Sequence, residues 1–460
     1  MKLFFRTLAS VLLFSMLAAF CLWRQEVINM EQATAFVKKV SGTAQQITAL
    51  TARQGTESED NSKTLDGKKV APPPQDTGGN YTAYDLSEEL DPALENAICQ
   101  GLAEMKSEID ISSFNLTREA VDAAINYVRF SHPEFFYVSA EYSIGSVLGK
   151  PSKYMPRYDY SASEAAAMQV TYQQKLDEIT AGAPAEGTEF DKILYLHDYF
   201  VKNYCYDYTY TIRDAYTFFT KKTGVCQAYM LAMIAAAGEL GIESVPVTSE
   251  VMNHAWNLVK IDGSWYHMDV TWDDSMSIST FTSYTYFLQS GRGLAAIDSD
   301  REDGHRDWVA NKEAENTKYD NVSWRDTLAP LVKAGDTYYA TAPADPADHA
   351  VRGVVYAGTD VTNMEAQFNI TGGYWLAGTT GYYPGCYSGL LVSGNRLYYN
   401  SGNTIYGRDL NTGLVVYTVA PVVGVGRCIY GLYEMKDGKI VFAAAEDPGD
   451  EEFLLLSCAA

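Results

Sequence analysis

Between positions 92 and 203 the apolar residues recur mainly at helical spacing. Pro92–Met105 and Thr117–Val128 each present one apolar face, the repeat of an amphipathic helix. His132-Pro-Glu-Phe-Phe-Tyr-Val then switches to an extended pattern that carries through Tyr142. Ser161-Ala-Ser-Glu164 has the form of a capping box and predicts a helix to about Thr180, with Gly182 and Pro184 to break it. Thr188 predicts another cap, and Phe190, Ile193, Leu194, His197, Phe200 and Val201 line one face of the helix behind it. Tyr204–Tyr210 reads as extended. Beyond a turn at Gly224, Cys226–Leu240 is an Ala-, Met- and Leu-rich helix that Gly241 stops. Strands are expected at Ser244–Val251, Ala255–Ile261 and Trp265–Thr271, the last two joined by the hairpin signal Asp262-Gly263.

From about Gly335 the pattern becomes strand and turn throughout. Thr337–Tyr339, Gly353–Tyr356, Leu390–Tyr399, Thr404–Arg408, Leu414–Val419, Ile429–Glu434 and Lys439–Ala443 are the expected strands. Ser393-Gly-Asn-Arg-Leu-Tyr-Tyr and Lys436-Asp-Gly-Lys-Ile-Val-Phe are loose copies of one turn-and-strand unit. The repeat is similar to propeller blades of ~40 residues, but the stretch holds only about three, fewer than a propeller needs. An all-β module, whose closure the pattern does not decide, is the expectation.

The N-terminal end is of another kind. Lys2 and Arg6 precede a run of apolar and small residues, Leu8–Trp23, which Arg24 ends. Its length lies between a secretory core and a membrane span of ~20 residues. Residues 1–24 are therefore expected to be a signal peptide or an N-terminal membrane anchor, with the protein exported to the extracellular space or the cell surface. The following segment has too few large apolar groups to offset its ordering entropy, so 25–80 is expected to be a disordered tether. The remainder divides into a mostly helical N-terminal domain over 81–184, a core over 185–325 and the β-rich module over 335–460. The fold class is α+β.

The charge changes the picture of partners. The chain holds 35 basic and 58 acidic residues, a net charge of −23. A nucleic acid would be repelled, and no Lys/Arg cluster offsets this. The seven cysteines are scattered, with no C-x-x-C pair. Cys386 and Cys428 are near enough in the last module for pairing to stay open.

The candidate chemistry centres on Cys226. A nucleophilic cysteine acts as the thiolate, and a helix start favours that form through free backbone N–H groups and the helix dipole. A structural cysteine at a helix start would look the same, so the other members must decide. His254, in Asn253-His-Ala-Trp-Asn257, begins a strand and can serve as base. Asp269 lies on the next strand. If Asp262-Gly263 is a two-residue turn, Ile261 pairs with Ser264, Trp256 faces Asp269, and His254 and Asp269 are diagonal neighbours ~7–8 Å apart on one face. A one-residue bulge would put them on opposite faces.

Together, Lys222-Thr-Gly-Val-Cys-Gln-Ala-Tyr229, Asn253-His-Ala-Trp-Asn257 and Asp262-Gly-Ser-Trp-Tyr-His-Met-Asp-Val-Thr-Trp-Asp273 resemble the transglutaminase-like superfamily, in particular bacterial members related to kyphoscoliosis-type peptidases. The resemblance covers about Thr188 to Asp274 firmly, and the flanks more loosely. It implies a papain-like core in which Cys226 is the nucleophile, His254 the base and Asp269 its orienter. It also makes Tyr216 and Trp256 candidates for oxyanion or substrate positioning, although packing is the plainer role for both. His197, Asp198 and His267 read as structural. No calcium loop or large flanking β-domains of animal transglutaminases are present. Gly424-Val-Gly426 is not a dinucleotide loop, no zinc-type pair or P-loop occurs, and neither cofactor nor metal is expected. The implied activity is acyl transfer on a protein, peptide or cell-wall carboxamide, with hydrolysis favoured over crosslinking. The rival is a surface-anchored binding or cell-wall-associated protein that keeps the core as a scaffold.

Overall fold

Local capping sets the helices that surround the site. Thr188 Oγ1 accepts the Asp191 N–H at 3.2 Å while Asp191 Oδ2 accepts the Thr188 N–H at 2.9 Å, a reciprocal cap that starts helix Glu189–Asn203. That helix buries Phe190, Ile193, Leu194, His197, Phe200 and Val201. Ser161 and Glu164 cap helix Ala162–Thr180 in the same way. The computed structural model describes residues 89–274, 282–297, 299, 304–325, 327–343, 353–377, 381–387, 389–446 and 454–460. The targeting segment, the tether and residues 81–88 lie outside the described residues.

The unit that carries the candidate chemistry comprises the described part of Pro73–Trp272 together with Tyr286–Asp320. The segment expected as a separate N-terminal domain therefore shares a compact unit with the core. It contributes helices Pro92–Ala103, Arg118–Ser131 and Ala162–Thr180, but also a three-stranded antiparallel sheet of Ile109–Asp110, Lys150–Tyr158 and Val138–Val147. Strand Lys150–Tyr158 is not apparent from the sequence, because Pro151 and Pro156 interrupt it. Ile109–Asp110 pairs only with Tyr154 and Lys153, so the two prolines fall where the strand has a single neighbour.

The central sheet is antiparallel, in the order Ser264–Met268, His254–Ile261, Ser244–Ser249, Trp308–Val309. Asp262 and Gly263 both take positive φ, 50° and 77°, the backbone of a tight hairpin turn, and Ile261 pairs with Ser264. Helix Cys226–Glu239 is buried almost all round and packs on this sheet, each enclosed Leu or Met contributing about 1.5–3 kcal/mol. Asn257 Nδ2 ties strand to helix by donating to the Met230 carbonyl at 3.1 Å. Val247, Trp256, Leu258, Trp272, Tyr286 and Leu294 form an apolar cluster of the same unit.

One strand is shorter than expected. Trp265–Thr271 leaves the ladder after Met268, which pairs with Asn257, and Val270–Asp273 is a helical turn. The Asp269 N–H turns to the Tyr286 carbonyl at 3.1 Å, while Asp269 Oδ1 accepts the Trp272 N–H at 3.1 Å. Asp269 thus ends the strand by acting as the cap of the next turn.

The second unit, described by itself, contains Asn321–Ala460 and Asp273–Thr285. Its strands form antiparallel sheets in chain order: Val332–Ala334 to Glu365–Ile370, Leu390–Ser393 to Val415–Val419, and Cys428–Lys436 to Leu454–Ala459, with the two-stranded Tyr374–Ala377 and Gly381–Tyr387 between. The expected strand Leu390–Tyr399 is two strands, because Gly394 turns the chain at φ 56°. Glu365–Ile370 carries mostly exposed side chains, so it offered no apolar alternation to read. Cys386 and Cys428 are free thiols.

Candidate active site

Cys226 is set at its helix start by the chain on either side. Thr223–Gly224 pairs in parallel with Cys205–Tyr206, and the Val225 N–H is held by the Ile212 carbonyl at 2.9 Å. Gly224 has no room for a side chain: a Cβ there would stand 2.6 Å from the Ala228 Cβ and 2.7 Å from the Phe218 ring. Val225 offers no side-chain cap, so its own side chain does not compete for the N–H groups at this helix start.

His254 begins the neighbouring strand, and its imidazole joins the other two groups. Nε2 lies 2.6 Å from Asp269 Oδ2, and the Cys226 side chain is near enough to act on the imidazole electrostatically. With Nε2 on the carboxylate, Nδ1 is the nitrogen left for the thiol. Cys226 is 2% exposed, His254 9% and Asp269 1%, so the three meet in a nearly dry setting where charge interactions are strong. Burial disfavours the imidazolium, but the Asp269 carboxylate and the Cys226 side chain outweigh it and raise His254 to about 10. Burial likewise pushes the Asp269 carboxyl up, yet His254 and then His305 hold it well below the usual carboxylate range.

Of the other candidates, Trp256 is brought to the cluster, and Tyr216 lies in helix Ala215–Lys221. The Trp256 indole stacks on His254 with ring centres 5.4 Å apart, and its N–H donates to His267 Nδ1 at 3.1 Å. It therefore acts on the base through its ring face, its N–H being engaged by His267. Tyr216 stacks on Phe136 at 4.8 Å, a packing contact. His267 is buried, and burial followed by the nearby His305 lowers it to about 3, which keeps it neutral as the acceptor of the Trp256 N–H. His197 is fully buried beside Asp198 and against the Phe287 ring.

Sequence reasoning missed His305. Its Nε2 lies 3.0 Å from the same Oδ2 of Asp269, and it is 3% exposed. No motif spacing links position 305 to 254 or 269; only the fold brings them together. The ligand-type atoms of His254, Asp269 and His305 all lie within 4.8 Å of one another. The two N···O separations are hydrogen-bond lengths, which accounts for the cluster without an ion.

Residues 173–270 match the family model described as the transglutaminase-like superfamily; the match contains Cys226, His254 and Asp269 and ends before His305. Members of that superfamily are generally cysteine-dependent enzymes. Among solved structures, a TGase is similar at 16% identity with a TM-score of 0.20, over 29% of this chain and 44% of that one. A protein from Cytophaga hutchinsonii, provisionally described as a cysteine protease, is similar at 16% identity with a TM-score of 0.19, over 28% of this chain and 61% of that one. The chain thus spans less than two thirds of either. No curated protein matches it.

Proposed function

We propose that this protein is an exported cysteine-dependent enzyme that opens peptide or carboxamide bonds by acyl transfer. The observation that carries the reading is the buried His254–Asp269 pair, with the Cys226 side chain near enough to raise the imidazole. In the ready state His254 already carries the proton of Cys226 as an imidazolium, and the sulfur attacks the carbonyl carbon as the thiolate. The oxyanion is met by N–H groups at the start of helix Cys226–Glu239, which the Val225 side chain does not cap. His254 then returns the proton to the leaving amine, and a thioester remains on Cys226. Water, deprotonated by His254, releases the acid and restores the thiolate; a primary amine in its place would form a new amide. Asp269 holds one tautomer of His254 throughout.

We favour hydrolysis on a peptide or cell-wall substrate, with residues 1–24 directing the chain to the cell surface and, when retained, anchoring it there. Among the described residues no helix is long and apolar enough to cross a membrane. A scaffold-only core is the weaker reading, because a buried His–Asp pair costs desolvation that a binding scaffold has no use for. Mass spectrometry of a peptide and wall-fragment library, with and without a primary amine, tests the function. Shortened products in both arms are expected. Amine adducts in place of cleavage would make it a crosslinker, and no turnover in either arm would favour the scaffold.

A further inference from the structure

We propose that His305 is a positioning residue of this site: its Nε2–H donates to Asp269 Oδ2 and holds the carboxylate toward His254. The inference rests on the acyl-transfer reading and goes beyond it, since residue 305 lies outside the matched segment 173–270.

A carboxylate orients an imidazole only if its own rotation is stopped. Oδ1 of Asp269 is held by the Trp272 N–H at 3.1 Å. Oδ2 receives His254 at 2.6 Å and His305 at 3.0 Å. His305 therefore fixes the oxygen that His254 uses, from a direction that leaves the His254 bond in place. An ionised carboxylate has lone pairs enough for both donors.

His305 is itself firmly placed. Its ring is walled by Trp272 at 4.4 Å, Tyr286 at 4.9 Å and Trp256 at 5.0 Å between centres. Just downstream, Trp308 pairs with Ser249, and Ser249 Oγ donates to the Arg306 carbonyl at 2.9 Å. Ser249 is also the residue that pairs with His254 across the sheet. One residue thus registers the base and the segment that carries His305.

The test uses the full chain, with 4-nitrophenyl acetate as acyl donor and ¹⁵N-histidine spectra as a readout free of activity. In the wild-type spectrum His305 is expected as the Nε2–H form; a His305 bearing its proton on Nδ1 alone overturns the proposal even if no variant folds. H305F keeps a ring and removes the donor. It should slow acylation of Cys226 at saturating ester on the order of tenfold, leave KM little changed and move the His254 Nε2–H resonance. H305Q, which retains an N–H, should recover most of the rate. Wild-type rate and an unmoved resonance in H305F, or equal losses in H305F and H305Q, would overturn it. If C226A and H254A release nitrophenolate as fast as wild type, the acyl-transfer reading fails instead, and the spectra still decide whether His305 holds Asp269.

Discussion

Asp269 Oδ2 lies 2.6 Å from His254 Nε2, while Oδ1 of the same carboxylate caps the next turn at the Trp272 N–H, 3.1 Å away. The two jobs separate on substitution. In Asp269→Asn the cap survives, because Asn caps as well as Asp. The orienting charge is lost, and the amide can donate where only an acceptor is wanted. Acylation of Cys226 should fall on the order of 10²-fold, less than the ~10⁴ of a serine triad because a thiol needs less help.

The same variant has a signature in pH. The folded imidazole of His254 is raised to about 10, against ~6.5 unfolded. Its pairing therefore contributes fully below about pH 6.5 and is lost as pH rises through about 10. The melting-temperature gap between wild type and Asp269→Asn should narrow from pH 6.5 upward. In ¹⁵N titrations His254 should stay protonated to about 10 in wild type and titrate lower in the variant. An unchanged rate with an unchanged titration would remove Asp269 from the site.

His267 gives the opposite sign. Its folded value is depressed to about 3 by burial and by His305. Below about pH 6.5 the unfolded chain binds a proton that the folded chain refuses until about pH 3, so this group costs stability as pH falls through that window. His267→Phe leaves the Trp256 N–H without its acceptor and is expected to be less stable at pH 7. Its deficit should shrink steadily between pH 6.5 and pH 4 in paired thermal melts. A deficit that is constant with pH would mean that His267 does not stay neutral in the fold.

Much of this site could be read before folding it. The caps at Ser161 and Thr188, the helix beginning at Cys226 and the Asp262-Gly263 turn are all local, and each follows from a few adjacent residues. The hairpin register was legible too, since Ile261 pairs with Ser264 as a two-residue turn requires. What failed was the assumption that the ladder continues through Asp269, because the partner of its N–H is Tyr286, seventeen positions on. His305 was out of reach for the same reason: loop closure, with no periodic pattern, puts it on Asp269. Strand Lys150–Tyr158 was hidden by prolines that are tolerated only because of how its neighbours end.

Gly224 tests the placement of the nucleophile without touching the chemistry. In Gly224→Ala the new methyl meets the Ala228 Cβ at 2.6 Å and the Phe218 ring at 2.7 Å, so the helix start must move. A loss of about 1–3 kcal/mol is expected from this overpacking. Calorimetry should show a melting point several degrees lower, with slower alkylation of Cys226 by iodoacetamide at temperatures where the variant is folded. Unchanged melting and alkylation would show that the close approach at Gly224 does not govern Cys226.

The most direct measurement is of the acyl group itself. Wild-type protein mixed with 4-nitrophenyl acetate, quenched in acid within the first turnover and digested, should carry an acetyl mass on the peptide containing Cys226. That adduct should be absent in C226A, strongly reduced in H254A, and discharged in wild type by water over time. The free thiols at Cys99, Cys386, Cys428 and Cys458 provide the internal control. An acetyl group confined to Cys226 and dependent on His254 is the predicted result. No adduct there, or labelling of Cys226 no faster than of Cys99, would contradict the account.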